Sequence, residues 1–108
     1  MVARWAVVVV LFVACASSFA DETGPALSQK YGCVACHAEN TRVMAVWPSF
    51  KEIADKYRGD KTAKDKLIHK LKTGGKGVWG TVAEQPAYAE EITDQNHYNI
   101  LIVWVLSH

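Results

Sequence analysis

Cysteine and methionine are scarce in this sequence, with three of the first and two of the second among 108 residues. Three cysteines cannot build the several bridges that staple a small disulfide-rich fold. A structural zinc site needs four ligands in paired spacings. Beyond Cys15 and the stretch from Cys33 to His37, the chain offers only His69, His97 and His108, none paired at three to five residues. No segment alternates with the period of a strand, so a thioredoxin-like dithiol in a βαβ unit is excluded as well. Formal charge is nearly balanced at +1, and no nucleic-acid partner is expected.

One long apolar run is present, at the start. Arg4 supplies a short positive region, Trp5 to Val13 an apolar core, and Ser18-Phe19-Ala20 the small residues expected before a cleavage site. Residues 1–20 are therefore read as an export signal and residues 21–108 as one domain. The run falls short of the eighteen or more apolar residues of a membrane span. Val13-Ala14-Cys15 could belong to a lipoprotein cleavage site, although Phe12 stands where a leucine is expected.

Two of the three cysteines occur in Cys33-Val34-Ala35-Cys36-His37, a C-x-x-C-H run that reads as a site for covalent attachment of haem c. Two thiols so spaced can form thioethers with the two vinyl groups of one haem, and the adjacent imidazole of His37 is left to face the iron. Export supports this independently, because c-type haem is attached outside the cytoplasm in bacteria. A domain of this size has a marginal core and commonly needs a cofactor for stability. The apoprotein is accordingly expected to fold poorly.

The domain reads as all-α. Gly24-Pro25 opens a first helix that continues to Tyr31, with proline where its missing N–H is harmless. Pro48 starts a second, whose Phe50, Ile53, Ala54 and Tyr57 follow the 3, 4, 7 spacing of an amphipathic helix. A third runs from Asp60 or Thr62 to Thr73, with Ala63, Leu67, Ile68 and Leu71 on its apolar stripe, and Gly74-Gly75 stops it. Glycines in residues 74–80 are spaced as in a phosphate loop, but no strand precedes them and no helix follows. Thr93 is expected to cap a last helix that is apolar nearly all round and buried on more than one side. Ile100, Ile102 and Val103 would leave part of it wet, a possible homo- or hetero-dimer surface.

The charges are unevenly spread. Residues 51–76 hold nine cations against four anions, whereas from Glu84 onward there are four anions and no Lys or Arg. Such a dipolar molecule can be steered onto an acidic partner surface; a solvated helical face is the plainer reading.

Taken together, Gly32-Cys33-Val34-Ala35-Cys36-His37-Ala38, Pro48-Ser49-Phe50-Lys51-Glu52-Ile53-Ala54, the run from Lys72 to Gly80, and Trp104-Val105-Leu106-Ser107 resemble the small single-haem bacterial class I cytochromes c. The resemblance covers essentially all of residues 21–108. It implies a fold of about four helices around one haem and a periplasmic electron carrier, not an enzyme, that exchanges single electrons with larger redox proteins. Cys33 and Cys36 would carry the haem and His37 would be the metal ligand. The neighbourhood of Pro48 would offer a carbonyl to the His37 ring, and Trp79 would approach a haem propionate.

Two departures stand out against that resemblance. Trp47 replaces the usual glycine before the proline, so that loop must differ. The family's distal methionine follows Gly-Val-Trp-Gly, and here the loop reads Thr81-Val82-Ala83-Glu84-Gln85-Pro86-Ala87-Tyr88, with none. Met44, the one methionine after the signal, lies past His37 and is expected to pack. The sixth iron position is then vacant or water-bound, or taken by Glu84, Tyr88 or a more distant group. His97 is the better candidate of two histidines expected at the surface, His69 being the other. Loss of the methionine implies a lowered potential, and a rival class of function, binding of a small gas such as NO or CO. Catalysis of the peroxidase kind lacks its His and Arg pair, leaving Glu84 as a conceivable acid or base.

Overall fold

The computed structural model describes residues 2, 8–11, 22–43, 46–79 and 84–108. Most of residues 1–20, including Cys15, and the loop residue Met44 lie outside the described residues. Among the described residues, four helices carry the fold: α1 (Gly24–Lys30), α2 (Phe50–Lys56), α3 (Ala63–Thr73) and α4 (Gln95–Leu106), with a 3-10 turn at Cys33–Ala35. None is long and apolar enough to cross a membrane.

Each helix begins where its backbone donors find partners. Thr23 caps α1, its hydroxyl accepting from the Ala26 N–H, and Pro25 occupies the first turn. Ser49 and Glu52 form a reciprocal capping box at α2. The next two donors there turn outward, Phe50 N–H to Ala38 O and Lys51 N–H to Glu39 O. Thus the first turn of α2 is fully bonded and ties itself to the segment just after His37. At α4 the cap is Asp94, not Thr93; its Oδ1 accepts from the Asn96 N–H at 2.8 Å. Neighbouring Thr and Asp both suit the position, so sequence alone placed the boundary one residue early.

The core is a cluster of Leu27, Ile68, Leu71, Ile92, Tyr98, Leu101 and Ile102. It gathers around α4, which packs against α1, α2 and α3. Each fully buried Leu or Ile contributes about 1.5–3 kcal/mol. Tyr98 is buried without loss because its hydroxyl donates to the Ile92 carbonyl at 2.8 Å.

Two expectations need correction. Ile102 is buried and Ile100 packs half-buried against the core, which leaves Val103 as the exposed member of that group. The wet stripe expected along the last helix therefore does not form, and the proposed dimer surface loses its basis. Two short strands also appear, β1 (Gly75–Lys76) and β2 (Glu84–Gln85), paired antiparallel with Gly75 opposite Gln85. Two residues are too few to show any alternation. The ladder depends on Gly74, whose φ is 72° and where a Cβ would lie 2.6 Å from the Gln85 carbonyl oxygen. A side chain there is excluded both by backbone conformation and by space.

Candidate functional site

Cys33, Cys36 and His37 open onto one apolar cleft of about 730 Å³, part of it continuous with solvent. Opposite them stand Leu67, Lys70 and Leu71 of α3, and Leu101, Ile102 and Val105 of α4; Gln85, Pro86 and Tyr88 close the remaining side. The walls are thus the continuation of the core.

Local chain geometry puts both thiols on that side. The His37 N–H donates to the Cys33 carbonyl at 3.0 Å, so the five-residue run is wound into a tight turn rather than extended. Both cysteines are free and half-buried. Burial, before any other cause, pushes the Cys33 thiol up to about 11, which keeps it neutral at pH 7. A neutral thiol in an apolar wall is a poor metal ligand but suits a hydrophobic group bonded through sulfur.

The ring of His37 is held from behind. Its Nδ1 lies 2.7 Å from the Pro48 carbonyl oxygen. A carbonyl can only accept, so Nδ1 carries the proton and Nε2 keeps its lone pair for a ligand in the cleft. Phe50 stacks against the ring at 5.7 Å, and Trp47 meets it edge-on at 5.9 Å. Trp47, which departs from the family pattern, therefore helps form the cleft wall.

The carbonyl of Pro48 is itself fixed by a network. Glu52 Oε2 accepts from the Ser49 N–H at 2.7 Å, and both Glu52 oxygens take Arg42, at 3.0 and 3.2 Å. These bonds hold the Glu52 carboxyl below the usual carboxylate range, with the Arg42 contact the largest cause. Sequence reading missed Glu52 and Arg42 as supports. The signal available was the Ser-x-x-Glu spacing of residues 49–52.

The remaining candidates separate. Trp79 lines a smaller hollow beside the cleft, sharing Trp47, Lys70 and Gln85 with it, and Lys56 Nζ sits 5.0 Å over its ring. Tyr88 presents a half-buried side chain to the cleft, its phenol raised mainly by burial. Glu84 is exposed in β2 and does not line the cleft. His69 is exposed, as expected.

His97 differs from expectation. It is buried rather than at the surface, with Nδ1 2.7 Å from the Tyr31 hydroxyl and Nε2 near Glu22 and Asp94. It does not line the cleft. The first turn of α4 carries it toward the entry of α1 instead. Lys70, by contrast, was not singled out in the sequence, yet it reaches the cleft because it lies three residues from Leu67 on the same helical face.

A family model described as cytochrome c matches residues 22–102. Cytochrome c-551 of Azotobacter vinelandii is 39% identical over 87 residues, which cover 81% of this chain and 99% of that protein. Cytochrome c-552 of Hydrogenobacter thermophilus is 39% identical over 90 residues, 83% of each chain. The crystal structure of wild-type Nitrosomonas europaea cytochrome c552 aligns with a TM-score of 0.65 and 34% identity, covering 75% of this chain and 94% of that one.

Proposed function

We propose, on the premise that this chain belongs to the cytochrome c family and is a haem-based electron carrier, that it works in the periplasm with an iron whose sixth position lacks the family's methionine. Haem c supplies a one-electron couple at its iron. In this reading Cys33 and Cys36 bond the haem, and His37 ligates through Nε2. Pro48 holds His37 by accepting from Nδ1, which fixes ring orientation and raises ligand basicity. Leu67, Leu71, Leu101 and Val105 exclude water from the cleft and keep its dielectric low.

The observation that carries the reading is the 2.7 Å bond from His37 to Pro48 beside two free thiols in an apolar cleft. The residues fit a large flat apolar group that is attached by sulfur and ligated from one side. Lys70 lines both cleft and hollow and Trp79 lines the hollow beside it, so an acidic edge of such a group reaching that side would be met by a cation and an indole N–H.

For the opposite side, the support is the sequence of the loop 81–88, which contains no methionine. With Glu84 exposed and His97 turned elsewhere, Tyr88 is the described candidate that faces the cleft. We read the sixth position as open or weakly held. Redox proteins are the partners of such a carrier, and the cation-rich segment 51–76 suits an acidic partner surface. Export through residues 1–20, read as a cleaved signal, would carry the chain to the periplasm.

Optical spectra of the purified protein test this reading. A covalent haem with no sulfur-to-iron charge-transfer band when oxidised, and uptake of CO when reduced, is the expected result. A colourless polypeptide with the mass of its amino acids alone would overturn it. A charge-transfer band would overturn the part concerning the sixth position.

A further inference from the structure

Outside the cleft, three potential ligands converge where α1 and α4 begin. His97 is the third residue of α4, Asp94 is the cap of that helix, and Glu22 precedes the cap of α1. His97 Nε2 lies 3.3 Å from Glu22 Oε1 and 3.4 Å from Asp94 Oδ2. All three ligand atoms lie within 4.8 Å of one another.

The imidazole is the informative member. Its side chain is only 8% exposed, and Nε2 is a buried atom with no hydrogen-bond partner among the described residues. A buried polar atom left unsatisfied costs about 1–3 kcal/mol, so something other than either carboxylate alone belongs there. Nδ1 is already engaged by the Tyr31 hydroxyl at 2.7 Å. When Nδ1 donates to Tyr31, Nε2 presents a lone pair toward two carboxylate oxygens, and three acceptors face one another.

We propose that Glu22, Asp94 and His97 bind a borderline divalent cation of the zinc type, which ties the entry of α1 to the start of α4. Imidazole with carboxylate oxygens is a donor set for such ions rather than for calcium or magnesium. Four-coordinate zinc with arms of about 2.0–2.1 Å places its ligand atoms about 3.3–3.4 Å apart, and both contacts of Nε2 have that length. Tyr31 plays the orienting part that a partner on the second ring nitrogen plays in histidine metal sites. Two carboxylates outweigh the charge of roughly +0.5 at the α4 N-terminus. Asp94 can also serve both ends, since Oδ1 caps the helix and leaves Oδ2 for the ion.

The site is independent of how the iron is ligated, and it is tested on the haem-loaded protein without an affinity tag. Zinc chloride is titrated calorimetrically at pH 7 in a non-coordinating buffer, followed by thermal unfolding with and without zinc. The expected result is one zinc per chain and a raised unfolding temperature. Glu22→Gln and Asp94→Asn should each weaken binding at least about tenfold, the lower bound for disturbing even an outer partner of a metal ligand. Both variants keep the fold, because Glu22 is exposed and Asn caps a helix as Asp does. His69→Asn should bind as the parent does. Absence of saturable heat, binding unchanged in both carboxamide variants, or calcium binding as tightly as zinc would each overturn the proposal.

Discussion

Gly24 and Trp104 meet with no space between them: a Cβ at Gly24 would fall 2.2 Å from the Cβ and Cγ of Trp104. Here α1 crosses α4 at backbone distance. Gly24→Ala gains about 0.5–1 kcal/mol in helix preference but costs about 1–3 kcal/mol in overpacking. The net expectation is destabilisation, seen as a lower denaturant midpoint. Adding Trp104→Leu should not recover that loss, because leucine keeps the Cβ and Cγ that the new methyl group meets, and a neutral Gly24→Ala would show that the crossing can yield.

The Ser49 and Glu52 cap positions the carbonyl that holds His37. Ser49→Ala should cost about 1–2 kcal/mol of stability. It should also loosen the Nδ1 bond, lower the basicity of His37 and raise the midpoint potential. Voltammetry beside a denaturation curve separates the two effects. A potential that stays fixed while stability falls would confine the cap to a structural role.

Acid should weaken the α2–α3 region before it reaches the core. Lys66, with the Thr62 hydroxyl and N–H, holds the Asp60 carboxyl at about 2, below its ordinary 3.8; Glu52 is lowered as well. A lowered folded-state value means that the stabilisation is complete above the unfolded value, about pH 4, and is lost as pH falls toward 2. Thermal midpoints should therefore drop across that window. Asp60→Asn should flatten the slope, and salt should do so partly, since both carboxylates are solvent-facing.

The loop without methionine invites a substitution that restores it. Tyr88→Met, at a loop position that lines the cleft, should raise the potential if sulfur reaches the iron, because axial ligands move haem potentials over a range of about 0.8 V. The same variant should lose CO uptake. Unchanged spectra would place the family's methionine position elsewhere in residues 81–88.

The four helices were legible in the sequence because their signals are local: Pro25 at a start, Gly74 at a stop, and Ile68 and Leu71 on one stripe. The two thiols and the imidazole were legible for the same reason, being set by spacing alone. What escaped was fixed by contacts distant in sequence. His97 looked like a surface residue until α1 supplied Tyr31, 66 positions away. Ile102 looked exposed because an all-apolar helix does not say which of its faces the neighbours cover. Lys70 read as one cation among nine, and nothing in its charge disclosed that its helix turns it into a cleft.

The central position of α4 bears on how the molecule opens. Because α1, α2 and α3 each rest on that one helix, losing it would strip every other element of its main support. Amide protons of Leu101, Ile102 and Val105 are then released to solvent deuterium only in rare excursions that dismantle the whole domain. Those of the short ladder at Gly75 and Gln85, at the margin of the fold, exchange through much smaller openings.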